Sequence, residues 1–508
     1  MTTTLGTLIT VQILLGAFDT LYHHELTERL AWRRSQAGEL RLHGVRNLAY
    51  AVLFAGLGFC QPQGAFALAV IALLCAELVI TLIDFVEEDR TRALPATERV
   101  THTLLALNYG AILAFLLPTL AGWAGQGTAL VPATYGAWTA LMLGSALGVA
   151  LFGLRDLAAS ARLRRIRPAP ADALLPPSPP QDILVTGGTG FVGERLVAAL
   201  TAAGHRVTVL TRTPKKAAAL PAPVRIVTDL AQIGNAERID IVVSLAGEPV
   251  ASGLWTKRRR TRIVTSRVRT ARAVRRFCER LDTPPRVVIA ASAIGAYGLR
   301  GDLPVTEAEP IRRDGSFSQR SCEATERAYG RIGARTRTRI VHLRTGLVLG
   351  TEGGVLGRML LPFEFGLGGA FGTGRQWMSW IGRDDLVRLI WHAATQGEIE
   401  GPLNAVAPAP VRNEAFAHTL AGALHRPCLL RVPAWALRPT GGLGRELFLG
   451  GQCVLPAKAL ATGFAFRDPA LAPLLRRLVG TAAPEGAEAG TFSVRGEPPK
   501  AAVVRLAA

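Results

Sequence analysis

The clearest chemical signature in the chain is a run of closely spaced glycines. Residues 183–186, IleLeuValThr, read as a short apolar strand running into Gly187-Gly188-Thr189-Gly190-Phe191-Val192-Gly193, and an apolar-periodic helix follows to about Ala203. Gly187 allows a tight turn and Gly190 lets the backbone approach a pyrophosphate. Gly193 lets helix and strand pack closely, with the helix N-terminus facing the phosphates. A strand before, a helix after and a second strand at 206–211 supply the context that a bare glycine pattern lacks. After the second strand a NAD-type domain carries an acid for the ribose hydroxyls. Here Thr211 is followed by Arg212, with Lys215 and Lys216 close by. A cation there suits the 2′-phosphate of NADP, so NADP(H) is expected ahead of NAD(H). Residues 241–247 read as the fourth strand and its turn, which puts Leu245, Ala246 and Gly247 against the dinucleotide. Residues 287–292 read as the fifth strand, ending at Ser292.

A second group of chemistry-bearing residues lies in or beside apolar runs, where ionisable side chains are costly and mark function by default. Asp19 and His23 are spaced i, i+4, next to His24 and Glu25. His43 opens one apolar run, Glu98 and His102 open another, and Glu77, Asp84 and Glu88 share one helix face. Carboxylates and imidazoles from several helices of a bundle build di-metal sites, proton relays, and quinone or haem pockets. Asp19, His23, Asp84, Glu88 and His102 are the candidate metal ligands. Pairing with neighbouring arginines and capping of helix ends is the alternative account of the same residues.

These residues must be positioned by at least two domains, because 508 residues exceed one ordinary core. Hydrophobic residues make up 49% and charged residues 19%, unevenly distributed. Five apolar segments, at about 4–22, 44–60, 66–86, 101–122 and 130–153, each approach the ~20 residues that cross a bilayer. Loops rich in arginine (Arg29 to Arg46, Arg90 to Arg99, Arg155 to Arg167) alternate with neutral ones. The positive-inside rule then predicts a multi-pass inner-membrane protein with its N-terminus outside and everything after 155 cytoplasmic. The net charge of +20 suits a membrane surface; no nucleic-acid motif appears, and membrane lipids are the expected macroscopic partner. Six cysteines without CxxC pairing fit a reducing compartment.

The predicted organisation is an α-helical membrane bundle at 1–155 and a basic, Pro-rich extended linker at 156–181. An α/β Rossmann-type, doubly wound parallel sheet follows at 182–430, then a small substrate-side domain at 431–480 and a disordered tail at 481–508.

The soluble half resembles the atypical short-chain dehydrogenase/reductases of the "epimerase family protein" type, within the NAD-dependent epimerase/dehydratase superfamily. ThrGlyGlyThrGlyPheValGly (186–193), LeuAlaGlyGluProVal (245–250), SerArgVal (266–268) and SerAlaIleGlyAlaTyrGly (292–298) carry the resemblance. LeuArgThrGlyLeuValLeu (343–349), GlyThrGlyArgGlnTrp (372–377), ProValArgAsnGlu (410–414) and LeuGlyGlyGlnCysValLeuProAlaLysAla (449–459) continue it. The last stretch is similar to that family's small DUF1731-like domain. The helical half lies outside the resemblance.

The resemblance implies a cofactor set of residues 186–193, Thr211, Arg212, Asp229 on the adenine, Leu245, Ala246, Gly247, Glu248, Arg267, Ser292 and Arg344. It also implies that Arg375, Gln376, Trp377 and Trp380 border the substrate cleft. The wider class moves a proton with a Ser, a Tyr and a Lys four residues after the Tyr. Ser292 fits the serine. Counting back from Glu326 puts Ser318 at the tyrosine position and Cys322 at the lysine position, so the Tyr/Lys pair is missing. Tyr297 becomes the candidate proton carrier, ahead of Arg344, Lys257 and His342. Three functions are compatible: an NADP(H)-dependent oxidoreductase or epimerase-like enzyme with a small, amphiphilic substrate; a non-catalytic NADP-binding sensor or scaffold; and a two-part redox protein with a metal or quinone site among the helices.

Overall fold

The computed structural model describes residues 2–250, 253–442 and 444–482. The predicted disordered tail therefore lies almost wholly outside the described residues.

Five long helices build the N-terminal half: α1 (Thr3–Phe18), α2 (Ala37–Phe59), α3 (Ala65–Thr91), α4 (Ala96–Ala124) and α5 (Ala137–Arg165). Four stretches, Thr3–Trp32, Ala65–Thr91, Ala96–Ala124 and Ala137–Arg165, are long and apolar enough to cross a membrane, one fewer than the sequence suggested. The difference is α2, whose apolar run is interrupted by His43, Arg46 and Asn47. The last apolar segment also begins later than expected. Residues Ala129–Pro132 form a strand antiparallel to Cys60–Gln63, and Gly136, at φ +61°, turns the chain into α5. That helix meets no breaker until Pro168, so it runs ten residues past the expected boundary, from 155 to 165. Beyond Phe18 the first helix widens into a π-helical segment, Asp19–Glu28, which ends at Arg29 in the left-handed region (φ 53°).

The C-terminal half is a seven-stranded, wholly parallel sheet. Its strands are β1 (Asp182–Thr186), β2 (Arg206–Leu210), β3 (Val224–Val227), β4 (Ile241–Ser244), β5 (Val287–Ala293), β6 (Arg339–Thr345) and β7 (Gly401–Ala405), in the order β7-β6-β5-β4-β1-β2-β3. The order reverses beside β1, which opens a crevice above the C-terminal ends of β1 and β4, where doubly wound sheets bind ligands. The central strands β1, β4 and β5 are apolar on both faces, as coverage by helices requires. Ile183, Val185, Val207 and Ile289 pack under α6 (Phe191–Ala202) and α10 (Arg383–Thr395). Leu184, Val242, Val288 and Ile340 pack under α7 (Lys257–Arg280) and α8 (Phe317–Gly333). Three further long helices are α9 (Leu356–Glu364), α11 (Asn413–Ala423) and α12 (Leu471–Val479).

The two halves share a core. Leu30, Ala31, Trp32, Leu40, Ala159 and Leu163 fall in one buried cluster with Leu356, Leu360 and Phe363 of α9 and with Leu474 and Leu475 of α12. Arg155 pairs with Glu25 on one side and Glu364 on the other, and Arg162 stacks over Trp32 at 3.8 Å. The linker is not a free spacer. Leu174 and Leu175 are buried against the sheet, and Arg195 reaches the Ala169 carbonyl at 2.6 Å. The apolar side chains in its AlaLeuLeuPro stretch give it something to bury.

Candidate functional site

The glycine turn has the geometry that its spacing requires. Gly187 sits at φ +75°, and a Cβ there would lie 2.8 Å from the Ala246 amide. A Cβ on Gly193 would lie 2.1 Å from the Gly187 carbonyl oxygen, so α6 can start this close to β1 only without a side chain. Gly190 caps α6 and leaves open space in front of the helix N-terminus. Below the turn, Thr186 and Ser244 hydroxyls are 3.0 Å apart, and the Thr186 hydroxyl accepts from the Ala246 amide. Thr189 and Val192 complete the turn, and Phe191 packs toward Gly350 and Gly353 under Arg383.

Thr211 is buried at the end of β2, and Arg212, Lys215 and Lys216 are exposed beyond it. Asp229 is differently employed than expected. It caps the short turn Leu230–Gln232, accepting from the Ala231 amide at 2.9 Å, with Gln232 returning the bond. An aspartate two residues past a strand is as good a cap as a base contact, and here the local bond is made.

In front of the turn lies a cavity of about 560 Å³. Leu245, Ala246, Gly247, Arg267 and Ser292 line its cofactor side, and Met359, Pro362, Phe363, Gln376, Trp377 and Phe448 its far side. Arg267 donates to the carbonyls of Glu248 and Ile263, at 2.9 and 3.1 Å; burial pushes its guanidinium downward. Glu248 is held by Arg259 at the rim. Gln376 bridges the Phe371 and Phe448 carbonyls, joining the two walls. Trp377 carries Arg412 over its ring at 3.9 Å. Two predicted cleft residues are elsewhere: Arg375 is exposed outside the wall, and Trp380 is buried in the core, its indole donating to the Ala409 carbonyl.

The polar centre also departs from expectation. Ser292 donates to Glu326 at 2.7 Å, and Glu326 takes both arms of Arg344, at 3.0 and 2.9 Å. Burial would raise the Glu326 carboxyl, but the bonds and charge of Arg344 hold it below its ordinary value. Ionised Glu326 therefore fixes the Ser292 proton and leaves the serine lone pairs facing the cavity. Arg344 is engaged by this pair and by the face of Tyr297 (4.6 Å), and it stands behind the cavity wall rather than in it. Tyr297 is fully buried, donates to Asn404 at 2.7 Å and does not line the cavity; burial pushes its hydroxyl up. This places Tyr297 as a packed aromatic of the core, away from the position expected of a proton carrier. Lys257 is exposed and His342 half-buried, both away from the cavity wall.

Ser318 and Cys322 do line the cavity. Burial pushes the Cys322 thiol up to about 11, which makes it inert. The Ser318 hydroxyl donates to Glu446 at 2.6 Å, and the same carboxylate takes the amides of Phe317 and Ser318 at the α8 N-terminus. Glu446, itself in the cavity wall, was missed in the sequence. It lies 128 residues from its partner, and no local pattern marks it.

Among the helices, two overlapping groups bring metal-ligand side chains together: Asp19, His24, Glu98 and His102, and His24, Glu39, His43 and Glu88. Of the candidates read from sequence, Asp19, Glu88 and His102 belong to these groups. His23 and Asp84 stand outside them, bonded to Asp19 and Arg46 respectively.

Residues 183–405 match the model of the NAD dependent epimerase/dehydratase family, and residues 432–478 match the domain of unknown function DUF1731. Epimerase family protein YfhF of Bacillus subtilis is 35% identical over 302 residues, covering 59% of this chain and 98% of that protein. The chain belongs to the epimerase family. The human epimerase family protein SDR39U1 is 34% identical over 302 residues, 58% of this chain and 99% of that protein. A crystal structure of human SDR39U1 (isoform 2) with NADPH superposes at a TM-score of 0.53 and 31% identity, covering 59% of this chain and 99% of that one. The epimerase-family match stops at the linker, so the helical half is an addition to that family's fold. Phe371, Gln376, Phe448 and Glu446 all sit where the DUF1731 region and the segment before it close over the sheet.

Proposed function

We propose that this chain is an NADP(H)-dependent oxidoreductase or epimerase-like enzyme, anchored in a membrane by its helical half and acting on an amphiphilic small molecule. The carrying observation is a shared wall. Helix α9 lines the cavity with Met359, Pro362 and Phe363, belongs to the same buried cluster as Trp32 and Leu163, and binds Arg155 through Glu364. A mostly apolar cavity backed by apolar helices suits a substrate with a hydrocarbon part. Outward-facing Leu14, Val52, Leu82, Leu107 and Leu151 support burial of those helices in lipid. Arg155 and Arg162, from the last arginine-rich stretch, reach Glu364 of the soluble half, which supports a cytoplasmic placement of that half.

Residues 187–193 would cradle the pyrophosphate, and Arg212 with Lys215 and Lys216 would suit the 2′-phosphate; the NADPH-bound human relative supports this choice. The dinucleotide, when bound, supplies or takes hydride. Ser292, its proton committed to Glu326, accepts a hydrogen bond from a substrate hydroxyl. Glu446 is the carboxylate placed to hold or move a proton in the cavity, in place of the absent Tyr/Lys pair. The test is to follow nicotinamide absorbance with the full chain in lipid nanodiscs and a membrane lipid extract. Glu446→Gln should slow consumption by about 10²–10⁴-fold while leaving NADPH bound. The loss of the Tyr/Lys pair, with Ser318 and Cys322 in its place, favours a second reading, a non-catalytic NADP-binding sensor. Tight NADPH binding with no consumption under any condition would select it.

A further inference from the structure

The side chains that the proposed reaction does not use gather where α2, α3, α4 and the π-helical segment meet. Asp19, Glu39, Asp84, Glu88 and Glu98 are each at most 5% exposed. Against these five carboxylates stand two guanidiniums, Arg46 on Asp84 and Arg92 on Glu39 and Glu98, so three carboxylates exceed the guanidiniums and face imidazoles instead. Buried charges are paired or coordinate metals. Around them stand His24, His43 and His102. Both oxygens of Glu88 lack a hydrogen-bond partner despite full burial; His24 Nε2 and His43 Nε2 make no well-directed hydrogen bond either, though they lie 3.3 Å from Asp19 and 3.0 Å from Asp84. His43 Nε2 lies 3.0 Å from Asp84, which Arg46 also holds, and 4.0 Å from Glu39 and 3.8 Å from Glu88, a spacing that leaves room for an ion between the imidazole and those two carboxylates. The His24 and His43 rings are stacked, with centroids 4.7 Å apart. The π-helical segment presents His24 here, and π turns recur at functional sites.

We propose that His24, Glu39, His43 and Glu88 bind one divalent transition-metal ion. The donor atoms of these four residues, all buried, lie within 4.8 Å of one another. Two imidazoles and two carboxylates without a thiolate suit Zn²⁺, Mn²⁺ or Fe²⁺. This group is favoured over the neighbouring Asp19, His24, Glu98 and His102 because the two unpartnered oxygens of Glu88 belong to it alone. Arg92 donates to both oxygens of Glu39, at 2.9 and 3.2 Å, and so orients that ligand from outside, as outer-sphere partners do. His102, 3.4 Å from Glu88, plays the same part.

The full chain in detergent is stripped with chelator, incubated with Zn²⁺ or with Mn²⁺, desalted and assayed by elemental mass spectrometry. About one ion per chain should be retained. His43→Ala and Glu88→Ala should each lower retention at least about tenfold, and His102→Ala should lower it less than either. NADPH binding and monodisperse elution report whether each variant is folded, and the wild-type stoichiometry is decisive without any variant. Retention below about one-tenth of an ion per chain overturns the proposal and leaves protonated histidines as the counter-charges. Loss on His102→Ala equal to that on His43→Ala overturns the placement.

Discussion

Replacing Gly193 by alanine should damage cofactor binding and fold together. The added methyl carbon would lie 2.1 Å from the Gly187 carbonyl oxygen and 2.8 Å from the Gly188 Cα, against 3.4 Å for an ordinary contact. Both neighbours are backbone, so no side chain can swing away. The start of α6 must retreat by about 1.3 Å from β1, the difference between 3.4 and 2.1 Å. Such overpacking costs about 1–3 kcal/mol of stability. The same movement withdraws the helix amides from the pyrophosphate and should weaken NADPH by about 10–100-fold, or ~1.4–2.8 kcal/mol. Gly190→Ala is the paired variant. Its Cβ would be 3.3 Å from one carbonyl oxygen, a mild contact, but would project into the space before the helix N-terminus. Calorimetric titration with NADPH and urea denaturation should show Gly190→Ala losing affinity with stability kept, and Gly193→Ala losing both. Wild-type affinity and stability in Gly193→Ala would refute the close-packing argument.

Three further outcomes are expected. Arg212→Asp should weaken NADPH by about 10–100-fold more than NADH, since a charge pair near ~4 Å in a surface environment is worth ~1–4 kcal/mol; equal loss for both nucleotides in a titration would remove Arg212 from the 2′-phosphate. Glu326→Gln should destabilise the soluble half by about 3–5 kcal/mol, because it leaves Arg344 buried without its partner, and urea midpoints read this directly. Glu326 also sets an acid limb. Its carboxyl is held below the ordinary value, so its contribution is present above the unfolded value near ~4.3 and is lost as pH falls through the folded value. Wild-type stability should therefore drop across that acid range more steeply than that of Glu326→Gln, and parallel curves would show that the pair contributes nothing.

The glycine turn was legible because its reasons are local: a strand, a tight turn and a helix within a few residues. The strands were legible because burial on both faces leaves continuous Val/Ile runs. The residue proposed to carry the proton was not, because its place in the cavity wall is decided by tertiary packing. Tyr297, near Ser292 in sequence, turns into the core to reach Asn404, 107 residues on, while Glu446 arrives from the C-terminal domain. Arg344 looked available for a ligand until its pairing with Glu326 across α8 and β6 was visible. Glu39 was missed for a similar reason. In sequence it is an ordinary acid in the first turn of a helix, and only the crossing of α2 with α3 and the π-helical segment sets it beside His24 and Glu88. The face-sharing of Glu77, Asp84 and Glu88 was read correctly. Yet their partners differ: Tyr50 and Thr81 on Glu77, Arg46 and His43 on Asp84, and His102 beside Glu88.

Deuterium transfer tests most directly whether the cavity performs hydride chemistry on an amphiphilic molecule. The full chain in a bilayer is given NADPH deuterated at the hydride-donating carbon together with a membrane lipid extract, and the extract is analysed by mass spectrometry. The account predicts deuterium in a molecule of the extract with the wild-type chain and its loss with Glu446→Gln. An unlabelled extract from a chain that still binds NADPH would contradict it.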